Sequence, residues 1–204
     1  MVRRARSVLA LDRTIYQNGF NRMANLSDVE LVLPQDEVCI IRTARAADAA
    51  NLIEYINQIG GETPFLPSGA GEFHLSSDDE KEFISRMLAA DNSLYLIAEA
   101  RERIVGILTL EGNSRPRMKH VAELGVSVVK DYWRKGIGRA LMDTALGWAE
   151  SNPVLRKVFL IVHHQNQRAI DLYLKLGFVQ EGVHSKLLYV EGEYHDCLYM
   201  SRAV

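Results

Sequence analysis

The chain has 204 residues, 48% of them apolar and 25% charged, with a formal net charge of −2. That length can bury a real core as one domain with or without an extension, and the near-neutral balance excludes whole-surface attraction to nucleic acid or to an anionic membrane. No apolar run approaches the length of a membrane span, so any anion the chain binds has to be held by local geometry.

The two cysteines, Cys39 and Cys197, have no metal-type spacing and read as free thiols of a reducing, cytoplasmic compartment. Residues 1–36 carry Arg3, Arg4, Arg6, Arg13 and Arg22 without sustained periodicity, and read as an N-terminal extension ahead of one domain over 37–204. The opening MVRRARSVLAL has too short an apolar run for a secretory signal.

The β-branched run VCIIR predicts a first strand over 38–42. Leu52, Ile53, Ile56 and Ile59 recur at helical spacing and stop at Gly60-Gly61, which predicts a helix over 45–59. The stretch ETPFLPSGAGEF is a long loop of the kind that carries binding surfaces. SDDE at 77–80 has the capping-box pattern, and Phe83, Ile84, Met87 and Leu88 behind it give a helix over 78–90.

Strands follow over 93–100, 103–112 and 120–130, the first two joined by a tight turn at Arg101-Glu102. A third helix presents Ile137, Leu141, Ala145, Trp148 and Ala149 on one face, and KVFLIVH over 157–163 is apolar enough for a strand covered on both sides. A fourth helix runs from Asn166, a good N-cap, to Gly177, before a terminal antiparallel pair turning at 191–193. The order β-α-α-β-β-β-α-β-α-β-β makes this an α/β chain with a mixed sheet, and without internal repeats it is one domain.

The most informative stretch is 123–150, where a strand runs into a loop with Gly136 and Gly138 and then into a helix. Such a junction aims several free backbone N–H groups at one point and so favours an anion. No G-x-G-x-x-G fingerprint or Walker A sequence is present. The run formed by Val128, Gly136, Gly138, Ala140 and Leu141, followed by N-x-x-A-x-x-x-Y-x-x-x-G-F from Asn166 through Ala169, Tyr173 and Gly177 to Phe178, resembles the GNAT superfamily of N-acetyltransferases.

The resemblance covers about residues 38–204 and implies the GNAT fold, with splayed central strands and acetyl-CoA as acyl donor. The backbone N–H groups of Arg134, Lys135, Gly136, Ile137, Gly138 and Arg139 would cradle the CoA pyrophosphate, with the Arg134, Lys135 and Arg139 side chains adding charge. The family places Gln or Arg three residues before the first glycine; here that residue is Trp133, and Arg134 offers the charge instead. The freed amides of Val126 and Val128 would meet the pantetheine arm and the acetyl carbonyl, where preorganised donors stabilise an oxyanion. Asn166 matches a residue near the CoA arm, and Tyr173 is the implied acid for the leaving sulfur.

An amine acceptor of lysine type is charged at neutral pH and needs a base. Strand alternation puts Glu123, Gly125 and Ser127 on one face and Leu124, Val126 and Val128 on the other, which makes Glu123 the favoured base. Glu72 and Glu111 are lesser candidates, for binding a cationic substrate.

His163 and His164 are adjacent on a strand, so they are expected to face opposite ways; with no third ligand in view, no metal is expected. The function expected is direct acetyl transfer in a ternary complex to an amine of a small molecule or protein. The alternative is a non-catalytic acyl-CoA-binding or sensing module. The terminal hairpin offers a strand for pairing across a homodimer.

Overall fold

The computed structural model describes residues 26–204; the arginine-rich residues 1–25 lie outside them. The elements in chain order are β1 (Val29–Val32), β2 (Val38–Thr43), α1 (Ala49–Gly60), α2 (Ser77–Ala89), β3 (Leu94–Ala100), β4 (Arg103–Gly112), β5 (Val121–Val128), α3 (Ile137–Ser151), β6 (Lys157–His163), α4 (Gln167–Lys175), β7 (Val179–Val190) and β8 (Glu193–Ala203). They form one eight-stranded sheet in the order β1-β2-β3-β4-β5-β6-β8-β7. Its neighbours are antiparallel except β5 and β6, which α3 connects in parallel. Among the described residues no helix is long and apolar enough to cross a membrane.

The helices cover both faces. Gly106 on β4 faces α3 so closely that an added Cβ would lie 3.2 Å from Leu141 Cδ1. On the other face Tyr55 of α1 reaches Ser127 of β5, and Arg86 of α2 reaches Glu111 of β4. The core is centred on β3, buried except at Glu99, and on the α3 stripe of Ile137, Leu141, Met142, Ala145, Leu146 and Ala149. The turn joining β3 to β4 has Arg101 and Glu102 both at positive φ, the two-residue geometry that matches strand twist.

The structure departs from the sequence reading in four places. An edge strand, β1, pairs with β2 from Val29↔Ile41 to Val32↔Val38, upstream of the expected start of the sheet. α1 begins at Ala49, because the Asp48 carboxylate accepts the Arg45 N–H (2.7 Å) and two Arg42 guanidinium bonds (2.8 Å each), which hold the preceding residues in a tight turn.

The capping box sits one residue early, between Ser76 and Asp79. Glu80 is not free to serve, since it is buried and accepts a hydrogen bond from the Tyr95 hydroxyl at 3.2 Å. Finally, β6 is covered unevenly: Val158, Leu160 and Val162 are buried on one face, whereas on the other Phe159 is half-buried, Ile161 exposed and only His163 buried.

Candidate active site

The site begins where β5 and β6 part. They are in register only from Val121↔Lys157 to Glu123↔Phe159, while β5 stays paired with β4 up to Gly106↔Val128. The Val121 carbonyl and the Val129 N–H both bond toward the β4 side, so the odd residues of β5 direct their peptide groups there. The even ones, Val126 and Val128, face the gap that opens beyond Glu123.

Trp133 stands across this gap. Its indole Nε1–H donates to the Val128 carbonyl at 2.6 Å, and the Arg168 guanidinium, at the start of α4, lies 5.2 Å from its ring. Sequence reasoning missed this clasp, because a tryptophan at a position expected to hold Gln or Arg gives no sign of where its indole points. Burial, and then the nearby charge of Arg134, lower the Arg168 pKa.

The glycine loop turns through left-handed residues Arg134 (φ 62°) and Gly136 (φ 90°), the latter being the N-cap of α3. No side chain caps this helix, whose first ladder bond runs from the Ala140 N–H to the Gly136 carbonyl. The N–H groups of Ile137, Gly138 and Arg139 precede that bond and are free of the helix ladder. A Cβ on Gly138 would meet only Val128 Cγ2, at 3.7 Å, so packing inside the chain does not demand glycine there. Lys135 lies over the Tyr132 ring at 4.2 Å, and Arg139 pairs with Asp143 at 2.8 Å; Arg134 is exposed.

Glu123 is exposed on the α1/α2 face, at the floor of the split. Partial burial and the charge of its cross-strand neighbour Glu111 raise its pKa above the ordinary carboxylate value. Glu111 itself pairs with Arg86 at 2.8 Å. Four residues above the last register pair stand Ser127 on β5, whose Oγ is 2.9 Å from the Tyr55 hydroxyl, and His163 on β6, whose ring is 5.1 Å from that of Phe65. Tyr55, Phe65 and His163 were not singled out as partners of the site, since only the register places them around the same gap.

Tyr173 is 7% exposed, with its ring 5.9 Å from that of Phe178 and its hydroxyl pKa pushed up to about 12 by burial. The hydroxyl makes no hydrogen bond to the described residues, yet no buried side-chain polar atom among them is unsatisfied; the hydroxyl therefore reaches solvent. Asn166 is the N-cap of α4, its Oδ1 accepting the Ala169 N–H at 3.2 Å. No hydrogen bond or ion pair joins Tyr173 to Glu123 among the described residues.

A cavity of about 630 Å³ lies between the 60–72 loop and Leu187–Glu191 of the β7–β8 hairpin. Glu72 lines it, with Oε2 held by the Gly69 N–H at 2.8 Å. A second cavity of about 300 Å³ shares Pro64, Val190 and Glu191 with the first and adds His163, Gln165, Glu193 and His195. The loop is tied to the donor side through Glu62, which accepts the Lys130 N–H at 2.6 Å.

The expectation that His163 and His164 point apart with no third ligand fails. β6 ends at His163, so alternation lapses at His164, and the two rings stack 5.0 Å apart. His195 of β8 joins them, 4.7 Å from His163 between ring centroids. Burial, then the neighbouring His195 and His164, hold the His163 pKa below its ordinary value.

A mixed sheet that splits between β5 and β6, followed by an uncapped, glycine-led helix, leaves unpaired backbone N–H groups on both elements. The chain belongs to the Acetyltransferase (GNAT) family, whose sequence model matches residues 62–178. It is similar to the L-amino acid N-acetyltransferase AaaT of Escherichia coli K12, 35% identical over 48% of this chain and 61% of the relative, so that it spans less than two thirds of that protein. It is 26% identical to the spermidine N(1)-acetyltransferase of Vibrio cholerae over 76% of this chain and 88% of the relative.

Among solved structures, a GNAT-family acetyltransferase from Streptococcus pneumoniae superposes with a TM-score of 0.79 at 32% identity, over 81% of this chain and 99% of the other. A phosphinothricin acetyltransferase from Sinorhizobium meliloti, solved with acetyl-CoA, shares the fold at a TM-score of 0.71 and 19% identity, over 81% and 88% of the two chains.

Proposed function

We propose that this chain is a cytoplasmic acetyl-CoA-dependent N-acetyltransferase that acetylates the primary amine of a small molecule by direct transfer in a ternary complex. One observation carries the reading: β5 leaves β6 at Glu123, and the freed peptide groups of Val126 and Val128 lead straight to the uncapped N-terminus of α3. Those residues fit the donor. The amides from Arg134 to Arg139 receive the pyrophosphate, and the absent side chain of Gly138 leaves room that the fold itself does not use.

Acetyl-CoA supplies an activated thioester; the chain supplies position and protons. The Val126 and Val128 N–H groups orient the carbonyl and stabilise charge developing on its oxygen. Glu123, or a water it holds, takes the proton of the incoming ammonium, and Tyr173, neutral across the working pH range, protonates the departing sulfur.

The relatives named for L-amino acids and spermidine support a small amine as acceptor; Glu123 at the split and Glu72 in the larger cavity are the carboxylates offered to a cation, since Glu111 is paired with Arg86. The two free thiols, Cys39 and Cys197, are buried, and burial pushes Cys39 up to about 11, which suits a direct rather than a cysteine-relayed transfer.

The test is a screen of amines that follows free CoA, repeated with Tyr173→Phe. We expect turnover with at least one small amine, and a kcat reduced about 10²–10⁴-fold in the variant at unchanged melting temperature. Acetyl-CoA binding without CoA release against any amine would replace this reading with an acyl-CoA-binding module.

A further inference from the structure

Three histidines converge at the rim of the cleft, and nothing in the proposed acetyl transfer uses them. His163 is the last residue of β6, His164 the next in the chain, and His195 lies on β8 two residues before Cys197, the register partner of His163. Each offers a ring nitrogen, and these atoms all lie within 4.8 Å of one another. We propose that His163, His164 and His195 form a binding site for a divalent transition-metal ion of the borderline class that imidazole prefers, zinc foremost.

The hydrogen bond that His164 makes supports ligation. The His164 Nδ1–H is placed to donate to the Asp196 carbonyl at 2.9 Å, which fixes that ring's tautomer and leaves the Nε2 lone pair for a metal. His163 Nδ1 accepts the Gln165 N–H at 3.1 Å, so ligation through Nδ1 exchanges that bond for one to the metal. His163 is only 3% exposed and is held by the end of β6, whereas His164 is exposed and His195 half-buried.

Zinc–nitrogen bonds of about 2.0–2.1 Å require nitrogens roughly 3.3 Å apart in a tetrahedron. The two outer rings therefore have to turn inward, and their exposure leaves them room to do so. Glu191 and Glu193 line the same cavity as His163 and His195 but do not belong to the three-histidine group, which leaves the fourth position to water.

The test uses the untagged full-length chain, stripped of metal and titrated with zinc chloride by calorimetry and with cobalt(II) by visible absorption. We expect roughly one equivalent bound, a d–d band of tetrahedral cobalt, and affinity reduced by about tenfold or more in His164→Ala and in His195→Ala. His120→Ala serves as the control and leaves binding unchanged. His163→Ala can fail by unfolding, so the two outer variants carry the decision. No stoichiometric binding, or binding undiminished in the His164→Ala/His195→Ala double variant, overturns the site. Since the readout is metal affinity and not CoA release, its failure is distinct from failure of the acetyl-transfer reading.

Discussion

Trp133 links the split sheet to α4, and its removal tests whether that link matters to the donor site. Trp133→Phe deletes the 2.6 Å hydrogen bond to the Val128 carbonyl while keeping an aromatic face for Arg168. Losing one half-buried hydrogen bond costs about 1 kcal/mol. For a chain of this size that is a fall in melting temperature of about 2–4 °C.

The same peptide unit that loses its clasp adjoins the Val128 amide proposed to meet the pantetheine arm. A loosening worth about 1 kcal/mol would raise the KM for acetyl-CoA about fivefold. Thermal unfolding and CoA release at saturating amine give the two numbers. Trp133→Gln, which restores a donor but no ring, should recover part of the stability. A fall in melting temperature with KM unchanged would refute the argument that the clasp sets the donor geometry; no change in either would refute the clasp itself.

Gly138→Ala separates the fold from the ligand. The added methyl meets only Val128 Cγ2, so the melting temperature should hold or rise, while the KM for acetyl-CoA rises about tenfold. Glu123 should set the acidic limb of kcat/KM: its raised pKa places that limb at higher pH than an ordinary glutamate would, and Glu123→Gln should remove it. A raised carboxylate pKa is stabilising at low pH and loses that contribution as pH rises through it. The variant should therefore melt at or above the wild type at pH 7, with the difference closing on acidification.

Arg42→Ala strands Asp48, whose side chain is 11% exposed, and should cost about 3–5 kcal/mol by denaturant unfolding. Burial works to raise the Asp48 pKa, but the Arg42 guanidinium and the Arg45 N–H outweigh it and hold it low. Wild-type stability from this pair is therefore present at neutral pH and lost as pH falls through that depressed value, and the variant should lack this acid-sensitive part.

What could be read from the chain was local. The Asn166 N-cap and the glycine loop each mark an element by the backbone they demand, and α3 buries most of the face its periodicity predicted. Gly60-Gly61 do end α1, but Gly61 is right-handed (φ −89°), not the left-handed cap that a terminal glycine suggests, and Gly60 instead admits the close approach of Gly69. β1 escaped because four largely exposed residues carry no alternation, and their pairing along an edge leaves no trace in composition. The histidine cluster escaped for a different reason. His195 reaches His163 only through the β6–β8 register, which neither strand encodes alone, and the exposed His164 ring stacks on His163 only because β6 ends before it. Trp133 is legible as a departure from a pattern, but its hydrogen bond depends on where the split opens.

The short parallel junction between β5 and β6 also has a mechanical meaning. Strands β1 to β5 form one antiparallel unit in sequence order, and β6, β8 and β7, adjacent in that order, form another; within the sheet the two units are joined by three residue pairs, the fewest at any seam. Bending along that seam would widen or narrow the gap at the cost of few ladder hydrogen bonds. The proposed donor and acceptor would thus meet at the seam of the sheet with the fewest paired residues.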